Sequence, residues 1–181
     1  MKATAPALVL AAALLSAACG AGRAIFNVDV YSFMAGTGKD TIPYLIPPFT
    51  SATASTFQKI NLPPGFGSSI VDSVRITTGN ANLMNTGGAG TIGFQLYFAA
   101  DSAGTTTATA ALSIPATAVN GVQTVPVPIT GDLSTAASLF GQQTLWMRVS
   151  ATGTNGAATP VTGKGVITAL QIRVVLQDKI F

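Results

Sequence analysis

Between residue 24 and residue 176, short runs of this chain alternate apolar and polar residues with a period of two. No other feature limits the possible folds so strongly. Successive side chains of a strand point to opposite faces, so each such run builds one half-buried sheet element. Ala24–Phe33 sets Phe26, Val28 and Val30 against Asn27 and Asp29, and Thr91–Ala99 sets Ile92, Phe94, Leu96 and Phe98 against Gly93, Gln95 and Tyr97. Thr144–Ala151 and Val166–Leu176 repeat the pattern, Thr56–Leu62 and Ile70–Thr78 carry it in shorter form, and Thr106–Ile114 is the weakest case. Val122–Ile129 holds Pro126 and Pro128. Proline donates nothing to a ladder, so that segment is predicted to be an edge strand.

Turn chemistry separates these runs at Gly79-Asn80, Gly87-Gly88, Asp101–Gly104, Asn120-Gly121 and Asn155-Gly156. One short helix is predicted over Asp132–Phe140, with Asp132 as N-cap and Gly141 as stop. About eight short strands with regular turns predict an all-β fold, an antiparallel β-sandwich that is immunoglobulin-like or jelly-roll-like. Residues 24–181 form one domain on this reading, long enough to bury its core without disulfides. A membrane barrel is disfavoured: stepping back by twos from Phe181 meets Lys179, Gln177, Val175 and Arg173, which is no lipid-facing stripe.

The first residues carry an address. Lys2 precedes the apolar run Ala7–Leu15, then the small residues Ser16, Ala17 and Ala18, then Cys19. The run is too short to span a bilayer and has the layout of a secretory signal peptide, residues 1–18. Leu14-Leu15-Ser16-Ala17-Ala18-Cys19-Gly20 resembles the lipobox of bacterial lipoproteins, although Ser16 stands where that family most often has leucine. The resemblance implies cleavage before Cys19, acylation of its thiol and amine, and a lipid-anchored cell-envelope protein. In a two-membrane cell, Gly20 would direct it to the outer membrane. Residues 19–23 would be the lipidated cysteine and a tether reaching about 15 Å. Cleavage after Ala18 without lipid, giving a secreted protein, is the alternative.

The inventory for chemistry is thin. The chain has no histidine, no glutamate and one cysteine. Serine, cysteine and zinc hydrolase arrangements therefore cannot be assembled, and no catalytic residue, metal or cofactor is expected. Asp29, Asp40, Asp72, Asp101, Asp132 and Asp178 are dispersed, which fits caps and turns better than a carboxylate pair or a calcium cage. Asn80, Asn82 and Asn85 read as turn formers. Gly36-Thr37-Gly38-Lys39-Asp40-Thr41 imitates a phosphate loop but lacks its first glycine, Phe33 standing there. Nine basic residues form no stripe, so nucleic acid is not an expected partner.

Two features suit binding. Ile42–Phe49, with Tyr44, Phe49 and three prolines, reads as an extended loop. It either touches lipid or a partner or folds back to plug the sandwich. Tyr97, Gln95, Trp146, Arg148, Gln171 and Arg173 read as one outward face, where aromatics beside amides and arginines suit a sugar ring or a protein anchor. Only 8% of residues are charged, so the sheets have little electrostatic protection against association. The expected role is non-catalytic, through self-association or an envelope partner. The alternative is a binding module for a glycan, an apolar ligand or a cognate protein.

Overall fold

The computed structural model describes residues 22–62 and 70–177; the leader, Cys19 and Phe181 lie outside them. In chain order the elements are β1 (Arg23–Asp29), α1 (Tyr31–Met34), β2 (Thr41–Ile46), β3 (Ser51–Asn61), β4 (Ile70–Gly87), β5 (Ala89–Ala99), α2 (Gly104–Thr107) and β6 (Leu112–Asn120). There follow β7 (Gln123–Pro128), β8 (Gly131–Asp132), a 3₁₀ segment (Ser134–Gly141), β9 (Thr144–Thr154) and β10 (Val161–Gln177).

All pairings are antiparallel and fall into two sheets. One runs β1-β10-β4-β7, with β2 also on β10 and β8 also on β4; the other runs β3-β9-β5-β6. β1 and β2 lie end to end along β10, Arg23 opposite Gln177 and Ile46 opposite Val161. Counting β1 with β2, and β7 with β8, gives eight arms. The first pairs with the eighth, the second with the seventh, the third with the sixth and the fourth with the fifth. This nested pairing is a jelly roll and decides against the immunoglobulin order.

Between the sheets lies the core. Val28, Ile42, Ile46, Val74, Leu83, Ile167, Ile172 and Val174 come from one inner face, and Ile60, Ile92, Phe94, Leu96, Met147 and Val149 from the other. The 3₁₀ segment adds Ala136 and Phe140, whose ring meets Phe98 at 5.3 Å and 59°. One glycine sets the sheet separation. A Cβ on Gly165 would lie 2.7 Å from the tip of the Phe94 ring, so the ring sits on bare backbone there.

Several sequence expectations need correction. Thr106–Ile114 is not one strand: Thr105 and Thr106 return their hydroxyls to the carbonyls of Ser102 and Ala103, both at 2.6 Å, and Asp101 Oδ1 accepts the Gly104 N–H. These local bonds close a helical turn, and β6 starts only at Leu112. Ala24–Phe33 ends as a strand at Asp29, where the Ser32 hydroxyl donates to the Asp29 carbonyl and α1 begins. In β10 the inward phase expected from Val166 and Thr168 holds only from Leu170 onward. A bulge at Thr168 flips the alternation, so Ile167 is the buried residue before it. The helix expected over Asp132–Phe140 forms instead as a 3₁₀ segment over Ser134–Gly141, with Leu133 and not Asp132 at the N-cap position and Gly141 inside it; Asp132 ends β8, and its Oδ1 accepts the Ser134 N–H at 2.6 Å.

Candidate functional site

The outer face of the four-stranded sheet carries a pattern that the register makes explicit. Ser55 on β3 faces Ser150 on β9, which faces Gln95 on β5, which faces Ser113 on β6. The next rows align Thr53, Thr152 and Gly93, then Ser51, Thr154 and Thr91. Neighbouring hydroxyls pair across the strands: Thr53 with Thr152 at 3.1 Å, Ser55 with Ser150 at 3.1 Å, Thr91 with Thr154 at 2.7 Å. Such pairs stabilise a sheet modestly and hold the hydroxyls in fixed rows.

Toward the other end of this face the rows turn aromatic and basic. Phe57 faces Arg148, which faces Tyr97; Lys59 faces Trp146, which faces Ala99. The Arg148 guanidinium stacks 3.7 Å over the Tyr97 ring while its Nε–H donates to the Thr105 carbonyl at 3.0 Å. The Tyr97 hydroxyl donates to Gln95 Oε1 at 2.8 Å, so the Gln95 amide nitrogen points toward Ser113 Oγ, 3.4 Å away.

Two shallow depressions adjoin at β6. The first, about 280 Å³, opens on this outer face between Thr91, Gly93, Gln95, Ser113, Ala116 and Thr152. Its floor exists because Gly93 has no side chain and because β6 carries an extra residue: Ile92 and Phe94 face Thr117 and Ile114, leaving Pro115 and Ala116 to bulge. The second, about 320 Å³, lies on the other side of β6 among Pro115, Thr117, Val127, Pro128 and Thr130. Both share Ser113, Ile114 and Ala116, and no charged residue lines either.

The structure therefore divides the expected binding face. Tyr97, Gln95, Trp146 and Arg148 stand together, all half-buried. Gln171 and Arg173 lie on β10 in the opposite sheet, because that strand pairs with β1 and β4 and not with β5 or β9. Arg173 stands in a row with Asn27 and Arg75. Tyr44 and Phe49 also separate. Ile42–Ile46 is neither a free loop nor a plug but strand β2, with Ile42, Tyr44 and Ile46 inward and Leu45 outward. Tyr44 is buried, donates its hydroxyl to Asn85 Oδ1 at 3.2 Å, and burial pushes its pKa up to about 12. Phe49 is 72% exposed at the corner where the chain crosses between sheets.

The polar residues weighed for ions do other work. Asn80, Asn82 and Asn85 lie within β4 rather than in a turn. Asn85 is buried and donates to the carbonyls of Gly87, Gly88 and Gly121. Asp72 pairs with Arg23 at 3.7 Å, and Asp40 accepts the Thr41 hydroxyl. Among the described residues no three His, Cys, Asp or Glu come together. The hydroxyl rows and the depressions at β6 were not anticipated from sequence. The signal for the first was present, in the Ser/Thr spacing of residues 51–55 and 150–154; the second depends on a bulge that no periodicity announces.

No protein-family model matches the chain, and no curated protein matches it significantly. Among solved structures it is similar to a structure of the infectious bursal disease virus Gx strain, with 8% identity and a TM-score of 0.44 over 88% of this chain and 38% of that one. A structure of the T13 viral particle of the same virus gives 9% identity and 0.35 over 86% and 39%. PirA gives 11% identity and 0.27 over 76% and 93%. The chain thus spans about two fifths of the viral chains it overlaps. These overlaps add nothing to what the strand order already establishes.

Proposed function

We propose that this chain is a lipid-anchored cell-envelope protein whose jelly-roll domain acts through surface contact, in a structural or protein-interaction role, and not through bond chemistry. The observation that supports the contact role is the uncharged end of the outer face of the four-stranded sheet, whose rows hold seven serines and threonines aligned across β3, β9 and β5. A face of this kind holds few charges whose desolvation would oppose close packing. The anchor rests on Cys19 and the residues before it. Several acyl chains, at about 0.8 kcal/mol per buried CH₂, hold such a protein stably.

A second reading, an extracytoplasmic module that binds a small or polymeric ligand, is favoured by the depressions at β6. The anchor is tested by growing cells with an alkyne fatty acid and comparing the wild type with Cys19→Ser. The wild type is expected to take up label and partition with membranes, and the variant to lose both. A Cys19→Ser chain that keeps the label overturns the anchor. Light scattering on the detergent-extracted chain tests the contact role: assemblies that grow with concentration support self-association, and a persistent monomer turns attention to other partners.

A further inference from the structure

We propose that the paired depressions at β6 form a binding site for a neutral polysaccharide, one sugar unit resting on Gly93 and the chain continuing across the Pro115–Ala116 bulge. This deepens the second reading above and rests on it; it does not depend on the lipid anchor. The rim of the first depression offers the hydroxyls of Thr91, Ser113, Thr152 and Thr154 and the amide of Gln95, around an apolar floor of Gly93 and Ala116. With no charged residue in the lining, an anion or a cation would lose hydration there and gain no counter-charge. An alkyl chain would cover rim hydroxyls that are paired only with other hydroxyls or with Gln95, and would leave their remaining donor and acceptor capacity unused. A peptide adding as a strand to β6 would meet Pro115, which offers no N–H, and a register broken by the bulge. A pyranose ring presents C–H patches flanked by hydroxyls that both donate and accept, and it matches floor and rim together.

The donor geometry is fixed before any ligand arrives. Thr105 carbonyl to Arg148, Arg148 over Tyr97, Tyr97 hydroxyl to Gln95 Oε1: this relay commits the Gln95 amide nitrogen to the depression. Pre-set donors lower the ordering cost of binding. The two volumes, about 280 and 320 Å³, are each at the small end for a ligand site but adjoin along β6, as a linear polymer requires.

The test uses the full chain extracted in a detergent without a sugar headgroup, run in native gels containing xylan, mixed-linkage β-glucan or galactomannan, with alginate as acidic comparator. At least one neutral polymer is expected to retard the wild type. A Cβ at Gly93 meets only ordinary contacts, 3.4 Å from the Ile114 carbonyl and 3.7 Å from Ala116 Cβ, so Gly93→Leu fills the depression without pressing on backbone. It is expected to weaken retardation more than about tenfold, and Thr152→Val, which deletes one rim hydroxyl, by roughly two- to tenfold. Thr86→Val on the other sheet is expected to change nothing. Thermal unfolding of each variant confirms folding; should Gly93→Leu not fold, Thr152→Val decides. No retardation by any neutral polymer, retardation by alginate alone, or full retardation of both variants overturns the site. Fatty-acid labelling and solution mass measured on the same preparation separate that failure from failure of the broader reading, since either can persist without sugar binding.

Discussion

Tyr44 and Asn85 show how a single buried pair can tie distant parts of this fold together. Tyr44 on β2 reaches across the single intervening strand β10, at Gly163, to Asn85 on β4, and Asn85 then holds the carbonyls of Gly87, Gly88 and Gly121, so one amide secures both the β4–β5 and the β6–β7 turns. Four partners satisfy the amide, which is why it tolerates burial. Desolvation raises the Tyr44 pKa to about 12, above the ordinary value near 10. Below pH ~10 folded and unfolded chains both keep the phenol proton, so this group adds no pH dependence there. Between about 10 and 12 the unfolded chain gives it up first, and stability falls by on the order of 2–3 kcal/mol. Urea unfolding across that window is expected to show this loss in the wild type relative to Tyr44→Phe, which lacks the titrating group but shares the other tyrosines and lysines. Parallel pH profiles for the two proteins would exclude the assignment. At neutral pH the variant is expected to be about 1 kcal/mol less stable, since Asn85 Oδ1 loses its donor.

Among the elements, the corner after β2 carries the clearest strain. Pro47 and Pro48 lead into Phe49, whose φ of 56° is left-handed, and the Thr50 hydroxyl donates back to the Pro47 carbonyl at 2.9 Å. A left-handed aromatic costs roughly 1–2 kcal/mol, and this one is too exposed to recover the cost by packing. Phe49→Gly is therefore expected to raise stability by about 0.5–1 kcal/mol after the entropy that glycine adds to the unfolded chain, read as a higher urea midpoint at unchanged slope. A lower midpoint would mean that the ring packs on something. The same corner shows what sequence could and could not reveal. Alternation in Thr91–Ala99 and Thr144–Ala151 located β5 and β9, because both strands keep one phase along their predicted length. β2 was hidden by its prolines: Pro43 falls on the outward phase, where it leaves Ile42, Tyr44 and Ile46 free to face the core, yet it reads locally as a loop. The Thr168 bulge hid the phase of β10 in the same way. For the candidate site, Tyr97, Trp146 and Arg148 were each legible as outward residues from the phase of their own strands, and the pairing of β5 with β9 brings them together. Arg173 was not separable from them, because outward phase is a local property and sheet membership depends on the nested pairing.

At the scale of the whole molecule, that pairing decides which end of the sandwich would face the membrane under the proposed anchor. Arg23 enters opposite Gln177, at the last residue of β10, while Ile46 lies opposite Val161 at its first. The 17 residues of β10 span about 50 Å along the strand. Phe49, just beyond Ile46, therefore stands at the far end of the domain from the point where residues 19–22 connect it to the proposed anchor. Under the proposed anchor the short tether argues against lipid contact by Phe49: a link reaching about 15 Å would keep the Arg23 end close to the bilayer and hold the Phe49 end outward. Spin labels on the lipidated protein in vesicles would measure this directly. A label at Arg23→Cys is expected to relax readily with a lipid-soluble quencher, and one at Phe49→Cys to respond only to a water-soluble one. Lipid-phase quenching at Phe49 would require the domain to lie flat on the bilayer, with the long axis of β10 along the surface. In that posture one flank of the sandwich would be covered, and the hydroxyl face would be free for contact only if the opposite sheet were the one turned to the lipid.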